Sequence, residues 1–269
     1  MFFSCIYFNK FQNLNFHFTQ YIKIYNSTLL YLLTLPLTVV TKITINPWKF
    51  ETLNPHSFYN KIHSDYYKKF GTYNIKFDYD FLMVKEFLKK KNIESYNFVC
   101  INLKDQYYRY KSVRDVNIEN YKPAINYLLK NNVKVIRFIH NSSKSLDIKN
   151  KDYLELNVEK DYNNHLQLGL IHNSKFVISN QSGICNYNTL TKTPYLLCDA
   201  IPLNTINVIK REDRFIYKRM YDIKNNKFLK IDQILKFNLH LYPELFCKKN
   251  FIRIIDNSKD DILNATKNM

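Results

Sequence analysis

Short apolar runs, separated by segments of helical length, constrain the fold of this chain more than any other feature. The runs of strand length cover residues 98–103, 133–139, 175–179 and 194–198. They are predominantly apolar and do not alternate with polar residues, which is typical of strands buried on both faces of a parallel sheet. Two shorter strands are predicted over residues 153–156 and 252–255.

Segments with apolar residues at helical spacing lie between these runs. The predicted helices cover residues 78–90, 118–131 and 162–172, with a short one over residues 186–191. Ser258 is expected to cap a closing helix, because Asp260 and Asp261 in its first turn would complement the helix dipole. Strands that alternate with helices imply a parallel sheet covered on both faces. The sequence therefore predicts the α/β class, with a Rossmann-like parallel sheet and flanking helices.

The chain has 269 residues, enough for one large domain or two modest ones. Residues 1–75 are irregular and rich in aromatic side chains, whereas the regular patterns begin after them. We therefore expect an N-terminal region over residues 1–75 and a Rossmann-like domain over residues 76–269. Within the first region, residues 29–40 are strongly apolar but short for a membrane span of about 20 residues. This favours a buried strand or an interfacial segment, with a transmembrane anchor as the alternative.

The formal net charge of +17 at pH 7 suggests an anionic partner. The lysines and arginines are scattered, however, and no finger-like pairing of Cys and His and no aromatic RNA-binding signature accompanies them. This argues against nucleic acid as the partner. Lys, Asn, Ile, Tyr and Phe are all in excess, so part of the charge also fits the bias of a genome rich in A and T. The remainder suits an enzyme that handles nucleotide diphosphates and contacts an anionic membrane face peripherally.

Cysteine and glycine usage exclude several kinds of site. The five cysteines contain no CxxC pair, so neither a disulfide framework nor a zinc site is indicated, and a reducing cytoplasm is the expected location. Cys100 and Cys198 lie inside apolar runs, where a free cysteine acts as a small hydrophobic residue. With only 3 glycines the chain has no GxGxxG, GxxxxGK(S/T) or GxSxG motif. This argues against a standard dinucleotide site, a P-loop and a hydrolase elbow.

The carboxyl ends of the predicted strands are the expected ligand-binding edge, because open sheets of this kind bind their ligands there. The loops concerned follow Leu103, Ile139, Ser179 and Cys198. Ser182 and Gly183 lie in the third of these loops. Backbone N–H groups at the start of the following helix form an anion site, and Gly183 permits a positive φ and close approach of a ligand. The alternative is that the Ser-Gly pair is only a tight turn.

Cations near the same edge add to this prediction. Lys104 follows the first strand directly and is well placed to neutralise a diphosphate, and Arg114 and Arg137 could add positive charge. Each of them has a structural alternative, as a solvated charge or as a member of an ion pair. The sequence singles out no catalytic base, although His56 and His63 in the N-terminal region are candidates.

The pattern as a whole resembles bacterial glycosyltransferases of surface-polysaccharide gene clusters, which look like the GT-B class. The matching segments are FVCINLKDQYY (residues 98–108), VRDVNIENYKPAINYLLKNNVKVIRF (residues 113–138), KFVISNQSGICNYNTLTKTPYLLCDAIPLN (residues 175–204) and FIRIIDNSKDDILNATKNM (residues 251–269). The likeness runs from about residue 76 to the C-terminus. It implies a GT-B-type donor domain, preceded by a short or incomplete N-terminal region that corresponds to a reduced acceptor domain.

The resemblance also implies a set of donor- and phosphate-binding residues. They are Lys104, Asp105, Arg114, Arg137, Ser182 and Gly183. Ser182 and Gly183 would hold the diphosphate, while Lys104 and Arg137 would offset the charge that develops on the leaving nucleotide. The family pattern has Arg-Asp after the first strand, and Lys104 keeps the charge of that arginine but loses its bidentate geometry. Arg114 has an alternative role in capping and orienting the helix that starts near Ile118.

The implied function is transfer of a sugar from a nucleotide-sugar donor to a polysaccharide or lipid-linked glycan acceptor, as part of cell-envelope biosynthesis. Enzymes of this class generally need no bound metal or further cofactor. The expected location is the cytoplasm, at the periphery of the inner membrane. Two alternatives stay open. One is a non-catalytic relative that binds a nucleotide or glycan, and the other is a different sugar-modifying transferase on the same fold, such as a pyruvyl transferase.

Overall fold

The computed structural model describes residues 81–105, 112–141, 143–158, 164–201, 203, 206, 210–236 and 251–269. The predicted N-terminal region over residues 1–75, with its apolar segment and the two candidate bases His56 and His63, lies outside the described residues.

A six-stranded parallel sheet forms the centre of the fold. Its strands are β1 (Phe98–Asn102), β2 (Lys134–Ile139), β3 (Tyr153–Asn157), β4 (Phe176–Ser179), β5 (Tyr195–Ala200) and β6 (Arg214–Tyr217). They are arranged in the order β3-β2-β1-β4-β5-β6, and every neighbouring pair is parallel. This is the strand order of doubly wound dinucleotide-binding folds. The predicted α/β class and Rossmann-like parallel sheet are confirmed.

Helices cover both faces of this sheet. The helical segments are α1 (Phe81–Lys90), a 3-10 helix (Ile118–Tyr121), α2 (Lys122–Lys130), α3 (Asn164–His172), a second 3-10 helix (Gly183–Leu190), α4 (Ile231–Lys236) and α5 (Lys259–Lys267). On one face, Val84 of α1 and Leu170 of α3 pack with Cys100. On the other face, Ile125 of α2 and Ile262 of α5 pack with the strands. Within the described ranges, no helix has both the length and the apolar character needed to cross a membrane.

A small antiparallel sheet lies after β6. It consists of β7 (Arg219–Asp222), β8 (Lys227–Phe228) and β9 (Ile252–Ile255), in the order β8-β7-β9. Its core contains Ile201, Met220, Leu229 and Ile234. The strand predicted over residues 252–255 is therefore present, but it does not extend the parallel sheet. The sixth parallel strand is instead β6, which the sequence did not predict because half of its side chains are exposed and it carries a charge.

The ends of two helices follow from local hydrogen bonds. Ser258 caps α5 as predicted, with its Oγ accepting the Asp261 N–H at 3.1 Å and the Asp261 carboxylate accepting the Ser258 N–H at 3.0 Å. The helix predicted over residues 118–131 begins as a 3-10 turn, and its α-helical part starts at Lys122, where Pro123 is tolerated in the first turn.

Gly169 of α3 lies against Val84 of α1, and we expect Gly169→Ala to destabilise the protein. A Cβ on residue 169 would lie 2.3 Å from Cγ2 of Val84, and a buried valine has one preferred rotamer in a helix. The overpacked Cβ should destabilise the protein by about 1–3 kcal/mol, while the higher helix propensity of alanine should stabilise it by about 1 kcal/mol. The free energy of unfolding should therefore fall by up to about 2 kcal/mol. Chemical denaturation measures it.

Gly183→Ala is the matched control, because a Cβ there would meet no atom within 4 Å. A Gly169→Ala protein that is more stable than the wild type would contradict the close contact between the two helices.

Lys210 and Asp213 form a buried ion pair at the amino-terminal edge of the parallel sheet. Lys210 Nζ lies 3.5 Å from Asp213 Oδ1 and 5.2 Å from the centroid of the Tyr195 ring. Asp213 also accepts the N–H of Tyr195, the first residue of β5, at 2.9 Å. Burial lowers the pKa of Lys210 to about 8, against the opposing attraction of Asp213.

We expect Lys210 to add stability as the pH rises from about 8 to 10.5. In that window the unfolded chain still binds a proton that the folded chain has released, so the free energy of unfolding rises with pH. Burial raises the pKa values of the Cys100, Cys185 and Cys198 thiols, which act in the opposite direction. The measurement is therefore the free energy of unfolding of the wild type minus that of Lys210→Met, at several pH values. This difference should increase as the pH rises from about 8 to 10.5. A difference that stays flat would contradict the lowered pKa.

Candidate functional site

β1 and β4 are neighbours at the centre of the sheet, and the chain leaves them toward opposite faces. After β1 it passes to the face covered by α2, where Val116 and Ile118 are buried. After β4 it passes to the other face, where Ile184 is buried. In doubly wound folds the ligand binds at the carboxyl edge where the connections diverge in this way. This edge is therefore the candidate site.

Asn180, the residue directly after β4, ties the two diverging loops together. Its side chain is fully buried. Its Oδ1 accepts the Lys104 N–H at 2.7 Å, and its Nδ2 donates to the carbonyl groups of Arg114 at 2.7 Å and Lys104 at 3.3 Å. Beside it, Asn102 Nδ2 donates to Ser182 Oγ at 2.9 Å. The loops after β1 and β4 are thus joined by side-chain hydrogen bonds at the strand ends.

The predicted cation after β1 faces a carboxylate. Lys104 Nζ lies 3.8 Å from Asp115 Oδ1, and 19% of the lysine side chain is exposed. Asp115 is buried, and its Oδ2 accepts the Ser112 N–H at 2.8 Å. Lys104 therefore brings positive charge to the edge, where a neighbouring carboxylate partly offsets it.

Asp105 and Arg137 lie together beneath the loop that follows β2. Arg137 NH2 is 3.6 Å from Asp105 Oδ2, while NH1 donates to Glu155 Oε1 at 2.7 Å and to the Lys144 carbonyl at 2.9 Å. Asp105 in turn accepts the Lys144 N–H at 3.0 Å and the Ser143 hydroxyl at 3.3 Å. Arg137 is wholly buried, which differs from the expectation that it meets a ligand. In this structure it positions the loop that carries Lys144.

Glu155 completes this ion-pair cluster from the neighbouring strand β3. Burial opposes its ionisation, but hydrogen bonds from the Leu146 N–H, Ser145 and Tyr153, together with the charge of Arg137, outweigh that effect and lower the pKa of Glu155. The carboxylate therefore stays ionised, as the buried guanidinium requires.

Arg114 is exposed and takes part in the site through its backbone. Its N–H donates to Ser112 Oγ at 3.2 Å, and its carbonyl accepts from Asn180. The alternative role in capping the helix near Ile118 falls to another residue, because Asn117 caps that 3-10 helix by accepting the Glu119 N–H at 3.2 Å.

Ser182 and Gly183 begin the second 3-10 helix at the same edge. Ser182 is the N-cap, in an extended conformation with φ −141°. Gly183 is exposed and does not adopt the positive φ that the sequence allowed for, and a Cβ there would meet no protein atom within 4 Å. The fold itself therefore does not require glycine at this position. The space above its backbone is open to a ligand.

A cavity of about 670 Å³ opens at the carboxyl edge, on the side of the loop that precedes α2. Its lining residues are Asp105, Ser112, Val113, Asp115, Val116, Asn117, Ile118, Lys144, Lys218, Ile254 and Asp256. Lysines and carboxylates both face it, so it can meet phosphate oxygens and hydroxyl groups. Across the described part of the chain, no group of three or more His, Cys, Asp or Glu side chains could hold a metal ion.

Lys218, between β6 and β7, closes one side of the cavity. Its side chain is almost fully buried, and its Nζ donates to the Asp115 carbonyl at 2.6 Å and to Asp256 Oδ1 at 2.7 Å. The other oxygen of Asp256 accepts the Asn117 N–H at 3.0 Å. These contacts connect the small sheet to the loop after β1 and fix the carboxylate of Asp256 at the cavity wall.

Asp199, near the end of β5, anchors the segment that carries Asp256. It adopts φ 53° at an irregularity in the pairing with β6. Its carboxylate accepts the Asn257 N–H at 2.6 Å and the Tyr121 hydroxyl at 2.8 Å, and its own N–H donates to Asn257 Oδ1 at 2.6 Å. Burial raises the pKa of Asp199, and these hydrogen bonds partly offset that rise. The chain after Cys198 therefore contributes to the site indirectly, because Asp199 holds Asn257 and with it the adjacent Asp256 at the cavity wall.

The six residues expected at the site divide into groups. Asp105 lines the cavity, and Arg137 contacts Asp105 from beneath. Lys104 and Arg114 are joined through Asn180, while Ser182 is joined to the end of β1 through Asn102 and precedes the exposed Gly183.

Sequence reasoning missed Asn180, Lys144, Lys218 and Asp256. The position of Asn180 directly after a buried strand was a usable signal. Lys218 and Asp256 lie next to β7 and β9, strands of the small sheet that the sequence does not place beside the cavity.

Comparisons with protein-family models, with curated proteins and with solved structures find no match to this chain.

We expect Arg137→Met to lower the free energy of unfolding by about 3–5 kcal/mol, because it leaves buried carboxylates without their partner. Denaturant unfolding measures this loss. Arg137→Met combined with Glu155→Leu should recover part of it, since that double change leaves no carboxylate at position 155. A direct role in ligand binding predicts the reverse outcome, in which Arg137→Met keeps its stability and loses only ligand affinity.

Proposed function

We propose that this chain is a glycosyltransferase with a GT-B-type donor domain, which moves a sugar from a nucleotide-sugar to a polysaccharide or lipid-linked glycan acceptor. The observation that carries the proposal is the cavity of about 670 Å³ at the carboxyl edge of the sheet. This volume lies within the range of pockets that hold small molecules and cofactors. The strand order also favours a nucleotide at this edge.

The charges around the cavity support a nucleotide-sugar more than a simple anion. Lys144 lines the cavity with 72% of its side chain exposed, and its Nζ lies 3.6 Å from Glu119 Oε1. Because this ion pair is exposed and therefore weak, a diphosphate can compete for the ammonium group. Asp115 and Asp256 line the same cavity, and carboxylates accept hydrogen bonds from sugar hydroxyls. A ligand with phosphates and several hydroxyl groups would use both kinds of side chain.

The reaction breaks the bond between the anomeric carbon of the donor sugar and a phosphate oxygen. A new bond forms from that carbon to a hydroxyl oxygen of the acceptor, whose proton passes to a base, and the nucleotide leaves with the bonding electrons. Lys144 supplies positive charge from the cavity wall to the leaving nucleotide. Lys104 and the backbone N–H of Gly183 are outside the cavity lining but at the same edge, where they would meet the part of the donor that extends beyond the cavity. Arg137 acts indirectly, by holding the loop of Lys144.

The test is a thermal-shift panel of the full chain with UDP-, GDP-, CMP- and dTDP-linked sugars and the free nucleotides. We expect a rise in melting temperature that is selective for one nucleotide, because ligand binding stabilises the folded state. Lys144→Ala should weaken the affinity for that nucleotide about ten-fold through loss of a charged hydrogen bond. Lys151→Ala is the matched control, because it removes the same charge from the exposed turn before β3.

Gly183→Val tests whether the ligand approaches the backbone after Ser182. The melting temperature without ligand should stay the same, because the protein leaves open space around this position. Nucleotide binding should be lost. Unchanged affinity in this variant would exclude the Ser182–Gly183 segment from the donor site.

A transfer assay then separates the remaining alternatives. Release of the nucleotide from its sugar in the presence of a glycan or lipid-linked acceptor supports the glycosyltransferase. Selective binding without release would indicate a non-catalytic relative. No response to any nucleotide, with activity toward a pyruvyl donor, would replace this proposal by a pyruvyl transferase.

A further inference from the structure

Most of the large exposed apolar side chains of the described residues belong to two stretches of the chain, residues 215–235 and residue 251. They are Phe215, Ile223, Phe228, Ile231, Leu235 and Phe251, which belong to β6, the small sheet with its flanking residues, and α4. Among the described residues, the other large exposed apolar side chains are Leu82 and Tyr96. Single exposed apolar residues are ordinary, whereas several that lie together mark an interaction surface, and Ile223, Phe228 and Phe251 all belong to the small sheet and its flanking residues.

The register of the small sheet separates its two faces. Met220 of β7 pairs with Ile254 of β9, and both pack into the core beneath the sheet. Side chains alternate along a strand, so Tyr221 and its partner Arg253 lie on the opposite face. Phe228 of β8 pairs with Tyr221 from the other side, and the two rings are 5.1 Å apart. We call this side, formed by Arg219, Tyr221, Phe228 and Arg253, the outer face.

Cations lie directly over the aromatic rings of this region. The guanidinium of Arg219 is 3.6 Å from the centroid of Phe228, and Lys224 Nζ is 4.6 Å from the centroid of Phe251. Ile223 donates its N–H to the Phe251 carbonyl at 3.0 Å, which brings two exposed apolar residues together at the tip of the sheet. The tip therefore consists of Ile223, Lys224 and Phe251.

Positive charge exceeds negative charge around the outer face and the tip. The exposed cations of this part of the chain are Arg214, Arg219, Lys224, Lys227, Lys230, Lys236 and Arg253. Arg211 is a further exposed cation, and Glu212 and Asp232 are the exposed carboxylates of the same segments, so cations still outnumber them. The half-buried carboxylate of Asp222 accepts hydrogen bonds from the Lys224 and Asn225 N–H groups and the Asn225 side chain. The surface therefore combines exposed apolar groups with an excess of positive charge.

We propose that the outer face and the tip dock the protein on an anionic lipid surface. Aromatic and aliphatic side chains ringed by lysine and arginine are the combination that binds the boundary between headgroups and acyl chains. Nucleic acid is the less suitable occupant, because base stacking needs open ring faces. Arg219 already covers one face of the Phe228 ring and Lys224 covers one face of the Phe251 ring, while aliphatic Ile223 has no ring on which a base could stack. This inference does not depend on the donor site.

The test is co-sedimentation of the full chain with vesicles of phosphatidylcholine alone or with one third phosphatidylglycerol, at low and high salt. We expect binding to the anionic vesicles at least ten-fold stronger than to the neutral ones, and weakened by salt. Lys224→Gln with Arg253→Gln should weaken it about five-fold for each cation removed. Equal binding to both kinds of vesicle, or binding to neither, would overturn the proposal.

A second variant tests the apolar part of the surface without disturbing the fold. Phe228→Thr retains a residue suited to strands, and Phe251→Asn suits the φ of 57° at that position. We expect this double variant to lose at least ten-fold in vesicle affinity at an unchanged melting temperature. Leu82→Ala on α1 is the control for loss of an exposed apolar side chain, and Lys130→Gln with Lys151→Gln is the control for charge.

Two further outcomes show what drives binding to the vesicles. If the surface variants bind vesicles as well as the controls do, the overall charge of the chain drives binding and the proposal fails. Salt-dependent binding of a single-stranded oligonucleotide that is lost in the same variants, without vesicle binding, would assign the surface to nucleic acid instead. Gly183→Val should bind vesicles like the wild type, so failure at the donor site and failure at this surface are distinguishable.

Discussion

The burial of β1 and β4 on both faces is the constraint on which the rest of this structure depends. Strands enclosed between two layers of helices exclude unsatisfied polar groups from the interior, so such groups collect where the strands end. Asn180 lies at the first position after β4 where a buried amide can reach the backbone of the neighbouring loop, and it pairs with Lys104 and Arg114 there. The candidate site lies at this edge because the apolar interior of the sheet excludes the polar groups that a ligand would need.

The same constraint explains how much of the fold could be predicted from the sequence. Strands covered on both faces leave runs of apolar residues, and β1, β2, β4 and β5 were found within two residues of their observed ends. The strands β6, β7 and β8 carry exposed and charged side chains, so their sequences do not differ from those of loops. β9 was recognised as a strand, but its antiparallel pairing with β7 in a second sheet was not predicted, because four residues of sequence do not show which strand they pair with.

The candidate site could be predicted only where it follows from strand ends. Lys104 and Ser182 were expected at the carboxyl edge for that reason, and the structure has them there, whereas Asp105 was expected only from the family resemblance. Arg137 points into the protein because β2 is an inner strand with Glu155 beside it on β3, and register with a neighbouring strand is not visible in one sequence. Gly183 was expected to allow a positive φ and close approach of a ligand, whereas the glycine that the described packing requires is Gly169, against Val84.

β9 connects the two proposals of ligand binding and membrane contact through the alternation of its side chains. Ile254 faces the cavity and the core, whereas the preceding residue, Arg253, lies on the outer face. Asp256 follows directly and is fixed by Lys218 and Asn117 at the cavity wall. β9 thus joins the outer face directly to the cavity wall. If the outer face were bound to a bilayer, this short, hydrogen-bonded strand would fix the distance between the cavity and the lipid surface. For a lipid-linked acceptor, whose reactive hydroxyl also stays near the headgroups, that geometry would bring donor and acceptor together without any large movement of the fold.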